Sequence, residues 1–186
     1  GNEGKIHLGY VYAMDSSLCT AYAMLRGAEA FWREVGRWTG MALFERHSSK
    51  PFIYAAPLDS MKDPASIQAY FDAVSDLGES YSVAPGGRRP LNTSRLSQSE
   101  LSNLFDASKV SAAWQTEEGA IDPLAIRLAL IEALSGLSRI EIRLGCEVQK
   151  VEDTKRGWAV AFSLNAADES ELFDIVINSA WEQRLA

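Results

Sequence analysis

The sequence predicts a mixed fold of the α/β or α+β class, and three observations carry that expectation. A helix signature at Asp122-Pro123 leads into alternating, strand-like segments further on. A second long helix near the start carries an aromatic stripe at helical spacing. Between the two lie short runs of apolar alternation bounded by turn residues. Length and composition agree, since 186 residues suffice for one domain or one and a half and 47% hydrophobic residues can form a sizeable core.

Taken in order, Ser16 or Ser17 is placed to cap a helix running to about Arg37. Leu18, Tyr22, Leu25, Ala28, Phe31, Trp32 and Val35 are its expected buried stripe, with Trp38 joining the same core. Glu29 and Arg33 are spaced as an i,i+4 pair on the outer face, and Gly36 and Gly40 end the helix. Met41–Glu45 and Phe52–Ala56 read as strands joined through a turn that holds His47. Asp63-Pro64 opens the next helix, whose apolar face is Ile67, Tyr70, Phe71, Val74 and Leu77 and whose stop is Gly78. Residues 79–95 read as a loop. Ser97 with Glu100 is a capping box for a short helix bearing Leu101, Leu104 and Phe105, and Val110–Thr116 alternates as a strand.

Asp122-Pro123 then starts a helix over 124–137. Its apolar positions, among them Leu124, Ile126, Leu128, Ile131 and Leu134, spread so far around the axis that the helix is expected to be mostly covered. Arg139–Arg143 alternates, Val148 and Val151 lead to a turn at Asp153–Gly157, and Trp158–Leu164 returns as a strand. After an acidic turn, Phe173–Ile177 is an apolar run with no polar face, the pattern of a strand covered on both sides of a parallel sheet.

Charge and composition exclude several functions. A net charge of −7 without any basic stripe argues against a nucleic-acid partner. No apolar run approaches membrane-spanning length. Cys19 and Cys146 read as small buried hydrophobes in a reduced protein, which places the chain in the cytoplasm. His7 and His47 are the only histidines and have no acid at ligand spacing, so no metal is expected. The Gly-x-Ser-x-Gly elbow of a serine hydrolase is absent. Arg88 and Arg89 read as a solvated loop tip in preference to guards of an anion pocket. Trp114, Thr116 and Glu117, at the end of a strand, are candidates to face a substrate pocket.

Three segments carry a family resemblance: Asn2-Glu-Gly-Lys5-Ile-His7-Leu-Gly9, the strand pair around Gly145-Cys-Glu-Val148 and Lys150-Val-Glu152, and Asp174-Ile-Val-Ile-Asn178-Ser179-Ala180. Together they resemble the D-amino-acid-oxidase-like family of FAD-dependent oxidoreductases. The resemblance implies that residues 1–38 and 119–186 form an incomplete, Rossmann-like, three-layer FAD-binding domain. It implies that residues 39–118 form a substrate-binding domain, an antiparallel sheet with helices to one side. Lys5 and His7 would lie nearest the flavin ring as the catalytic residues, with Asn2 and Gly9 beside them. Small residues there would let backbone N–H groups approach phosphate or the flavin ring. Val148 would offer its backbone to the adenine, and Ser179 and Ala180 would pass close to the ribityl and phosphate groups. Trp181 stands where the family commonly has glycine.

The implied activity is oxidation of a small polar amine or hydroxy compound by hydride transfer to flavin. No G-x-G-x-x-G turn occurs, and residue 1 is not Met, so the chain is expected to be part of a longer oxidoreductase. Without the phosphate-binding turn, FAD is expected to bind weakly or not at all, and an exposed sheet edge is expected to favour a homodimer. Two other readings compete. One is a non-enzymatic α+β module whose Trp- and Tyr-lined cleft binds a small ligand or peptide. The other is a piece of a two-dinucleotide reductase, which would show a second glycine-rich turn; the sequence has none.

Overall fold

The computed structural model describes residues 4–40, 48–83 and 87–179. The chain divides into two compact units, Gly1–Gly136 and Leu137–Ala186. The strand expected at Met41–Glu45, together with His47, lies outside the described residues.

In the first unit a short strand β1 (Lys5–Ile6) precedes the long helix α1 (Cys19–Thr39) and strand β2 (Ile53–Pro57). Helix α2 (Pro64–Leu77), strand β3 (Ser94–Arg95), helix α3 (Gln98–Leu104) and strand β4 (Val110–Gln115) follow. Strand β5 (Gly119–Ala120) and helix α4 (Pro123–Ser135) complete the unit. β4 is the centre of a three-stranded antiparallel sheet in the order β2-β4-β3, and β1 pairs antiparallel with β5. The protein is thus a mixed α+β fold with antiparallel sheets and, among the described residues, four α-helices.

Local signals set most of these boundaries. Asp63 accepts the Ser66 N–H ahead of Pro64, and Asp122 accepts the N–H groups of Leu124 and Ala125 ahead of Pro123. Ser97 and Glu100 close the capping box on α3. Helix α1 is capped differently from expectation. Asp15 accepts the N–H of Thr20 at 2.8 Å and of Ser17 at 3.0 Å, so a carboxylate does most of the work assigned to the serines. Hydrogen bonds from Ser17 and Thr20 hold the Asp15 carboxyl well below its ordinary range.

The core of the first unit joins α1 and α2 to the sheet. Leu25, Phe71, Val74 and Trp114 are almost completely buried, and Phe71 meets Tyr10, Tyr54 and Trp114 edge-on. Tyr22 and Trp38, expected in this core, are largely exposed. The expected Glu29–Arg33 pair does not form. Glu29 accepts the Ser82 N–H and faces Arg88, while Arg33 turns to Glu34.

Helix α4 overturns a second expectation. Only Ile126 is buried on it, whereas Leu124, Leu128, Ile131 and Leu134 are exposed. Its main contact is with α1, along one side. Cys19, read as a buried hydrophobe, is exposed, and Cys146 is half-buried; both thiols are free.

The second unit is an antiparallel meander of β6 (Cys146–Thr154), β7 (Gly157–Leu164) and β8 (Ala167–Phe173) in that order. Val160 and Phe162 of the central strand are buried. The segment read as an acidic turn is itself strand β8, entered through Asn165 and Ala166, both with positive φ. The parallel-sheet strand expected at Phe173–Ile177 does not form. Phe173 pairs with Trp158, next to the first residue of β7, and residues 174–179 pair with no described strand. Ile175 and Ile177 are accordingly exposed. Arg139–Arg143 is likewise not a strand, and Arg143 instead forms ion pairs with Glu141 and Glu171.

Candidate functional site

The most organised polar site is centred on Glu118, a carboxylate whose side chain is 0% exposed. Along β4 and just beyond it, Ala112, Trp114, Thr116 and Glu118 alternate inward, and all four are buried. The period that builds the core therefore carries a carboxylate into it. Burying that group is costly unless donors surround it, and they do. Its Oε1 accepts three successive backbone N–H groups, from Leu8 at 2.5 Å, Gly9 at 3.0 Å and Tyr10 at 3.3 Å. Its Oε2 accepts the Tyr54 hydroxyl and lies 3.3 Å from His7 Nδ1.

This arrangement explains the turn at residues 7–10. Gly9 has φ of 119°, and a Cβ there would stand 2.6 Å from that of Ala21, so glycine is needed both for the backbone angle and for contact with α1. The Tyr70 hydroxyl donates to the Gly9 carbonyl at 2.9 Å, and Tyr10 joins a buried hydroxyl chain with Ser75 and Thr93. Burial, reinforced by the nearby Glu118 charge, pushes the Tyr54 phenol well above its usual value. Tyr70 is pushed up to about 12, again chiefly by burial. Both phenols are therefore neutral donors at physiological pH.

The sequence-predicted residues fall into separate places. Lys5, in β1 opposite Ala120, is exposed. His7 is the member of the set that joins the Glu118 cluster with its side chain, which is 33% exposed and tilts against Phe52. Gly9 sits in the same turn, but its N–H and carbonyl are both engaged internally. The N–H groups expected to approach a phosphate are occupied by Glu118 instead. Val148 and Ser179 belong to the second unit and line one groove there, whereas Asn2 and Ala180 lie outside the described residues.

That groove has a volume of about 1050 Å³ and runs over β6 and the first half of β7. Val148, Val151, Trp158, Val160 and Ile177 supply apolar wall, and Gln149, Lys150, Asn178 and Ser179 supply polar rim. A register shift between Val148 and Lys150 leaves Gln149 out of the ladder on β6, as a β-bulge does. Trp158 offers a partly exposed indole for stacking.

The proposed pocket residues at the end of β4 have other duties. Trp114 is fully buried and its Nε1–H donates to Gln68, and Thr116 donates to the Phe52 carbonyl. Glu117 is clamped by Arg89 through bonds of 2.6 and 2.9 Å and also accepts from Asn92. Partial burial raises the Glu117 carboxyl, but the Arg89 and Asn92 hydrogen bonds outweigh it and leave the group below its ordinary value. Arg89 is thus a structural ion pair, while Arg88 remains largely exposed 3.8 Å from Glu29.

Glu118 and Tyr54 are the site residues that sequence reading missed. The signal for Glu118 was present in the alternation Ala112-Trp114-Thr116, which extends one step further to it. Nothing local marks Tyr54, because its role depends on the pairing of β2 with β4. Among the described residues no group of His, Cys, Asp and Glu could hold a metal ion, and no helix is long and apolar enough to cross a membrane. No protein-family model, curated protein or solved structure matches the chain.

Proposed function

We propose that this chain is part of an FAD-dependent oxidoreductase of the D-amino-acid-oxidase-like class, acting on a small polar amine or hydroxy compound. The observation that carries the reading is the meeting of Val148 and Ser179 in one groove. The family resemblance assigns them separately to the adenine and to the phosphate side of the cofactor, and a shared groove is what one extended ligand requires. An indole face and an apolar floor with the Ser179 hydroxyl at the rim suit an adenosine-type end, while the Gln149 amide is held by Asp168, the Lys150 ammonium by Glu152, and Glu147 adds a carboxylate to the lining. The turn at residues 7–10 does not suit a phosphate, because its donors are already taken by Glu118.

On this reading the second unit belongs to an incomplete Rossmann-like domain, and the β2-β4-β3 sheet belongs to the substrate side. The open apolar faces of α4 and of residues 175–177 support a chain that works alongside further protein, since apolar surface of this extent is normally covered. Flavin, when bound, supplies the hydride acceptor. The residues this chain would contribute are Val148, Trp158 and Ser179 at the groove of the second unit and, separately in the first unit, Lys5 on β1 and His7 beside the turn.

Nucleotide titration followed by amide and indole NMR tests the proposal. ADP is expected to bind weakly and to shift the signals of residues 147–151, Trp158 and 176–179 together. FAD is expected to shift the same set. Saturating ADP that leaves this set unmoved would remove the basis for the reading.

A further inference from the structure

The hydrogen-bond bookkeeping around Glu118 determines which nitrogen of His7 carries the proton. Glu118 Oε1 is used by the three backbone N–H groups, so Oε2 alone faces the side chains. The Tyr54 hydroxyl spends its proton on that Oε2, which leaves the phenol oxygen able only to accept. His7 Nδ1 has two neighbours, Glu118 Oε2 at 3.3 Å and the Tyr54 oxygen at 3.5 Å. Both are acceptors. A bare Nδ1 would set its lone pair against two oxygens, so Nδ1 carries the hydrogen and the lone pair of neutral His7 resides on Nε2. No described residue hydrogen-bonds Nε2, and the side chain keeps a third of its surface open.

We infer that Glu118 is a positioning residue that fixes His7 as the Nδ1–H tautomer and makes Nε2 a proton acceptor for a substrate hydroxyl or amine. A carboxylate that orients a histidine base is a recurrent solution to this problem. Tyr54 sharpens it by withdrawing its own proton from competition. The role rests on the oxidoreductase reading only for the identity of the proton donor. On that reading flavin would supply the two-electron acceptor for a hydride from the substrate carbon, and His7 Nε2 would take the proton from its oxygen or nitrogen, leaving a C=O or C=N bond and an imidazolium.

The test reads the tautomer directly and needs no flavin. Long-range proton–nitrogen NMR correlation of the imidazole rings, with His47→Asn to identify the His7 signals, is expected to show Nδ1 protonated and Nε2 bare in the neutral form of His7. Glu118→Gln then supplies the decisive comparison. Its carbonyl oxygen must stay with the three backbone N–H groups, which turns the amide NH2 towards Tyr54 and His7. A donor then faces Nδ1, and the two nitrogen shifts of His7 are expected to exchange. Tyr54→Phe keeps Glu118 Oε2 as an acceptor and should leave the tautomer as in the parent protein.

An Nε2-protonated His7 in the unaltered protein overturns the inference, and so does a folded Glu118→Gln protein whose tautomer is unchanged. If Glu118→Gln does not fold, the unaltered protein and Tyr54→Phe still decide the matter. Nucleotide binding at the groove and the tautomer at His7 are separate readouts, so failure of one is distinguishable from failure of the other.

Discussion

Glu118 and helix α4 lie only a few residues apart in sequence, yet they meet opposite fates. A carboxylate is completely buried, while leucines and isoleucines of the next element stand in the open. Residue polarity alone predicts the reverse. What decides is the supply of partners. Glu118 enters the core on the inward face of the β4 line, where three N–H groups and two side chains converge on it. Helix α4 has α1 along one side and leaves Leu124, Leu128, Ile131 and Leu134 exposed. Hydrophobicity states what a side chain would gain from cover; it does not provide the cover.

The comparison breaks most visibly if Glu118 is removed. Glu118→Ala leaves three buried N–H groups without an acceptor and releases the 7–10 turn from β4. A loss of about 3–5 kcal/mol is expected, in line with breaking a buried charged network. Denaturant unfolding followed by tryptophan fluorescence checks it. A loss below about 1 kcal/mol would mean that water satisfies the turn as well as Glu118 does. Gly9→Ala attacks the same turn from the backbone. Placing a side chain at φ of 119° costs about 1–3 kcal/mol, and the contact with Ala21 adds to it. Tyr70→Phe in the same assay separates the hydrogen bond to Gly9 from its conformation, and should cost about 1 kcal/mol.

A smaller effect distinguishes Glu118 from its neighbour Glu117. The Glu117 carboxyl is lowered in the folded protein by Arg89 and Asn92 against the opposing push of burial. Its contribution is therefore complete above the unfolded value of 4.5 and drains away as pH falls below it. Both partners are partly exposed, so Glu117→Gln is expected to cost only about 1 kcal/mol at pH 7. The gap between the two proteins should close as pH falls below about 4.5. Thermal unfolding over that range checks the sign. A gap that widens on acidification would show that burial, not Arg89, governs this carboxyl.

Much of the fold was legible because local chemistry wrote it. Asp63-Pro64, Ser97 with Glu100, and Asp122-Pro123 mark helix starts that the structure keeps, and Val110–Gln115 is the strand its alternation announces. Misreadings occurred where the outcome depended on distant partners. Ala167–Phe173 is acidic enough to pass for a turn, but an edge strand of a meander tolerates carboxylates on its open side. Ile175 and Ile177 look like buried strand, but β7 offers them no ladder. His7 and Gly9 of the N-terminal motif, singled out by the family resemblance for a place near the flavin, both contact Glu118 in the structure. Their anchor, Glu118, lies 110 residues from Leu8 and is tied to the motif only through tertiary structure.

The smallest stability effect belongs to the open side of α4, and it is the sharpest test of the contrast. Leu25 on α1 is fully buried, so Leu25→Ala should cost about 2–5 kcal/mol through lost packing and the cavity left behind. Leu128 on α4 is 56% exposed, and Leu128→Lys should change stability by no more than about 0.5 kcal/mol. A lysine beside Leu124, Ile131 and Leu134 also interrupts the apolar stripe, which lowers the tendency of that surface to associate. Sedimentation velocity over a range of protein concentrations is therefore expected to show less self-association for Leu128→Lys, with unfolding almost unchanged. A large drop in stability would mean that this leucine is buried in solution and that α4 already has its partner. Unchanged stability with unchanged association would mean that the contact between copies, where there is one, uses another surface, such as the outer edges of β6 and β8, which pair with no described strand.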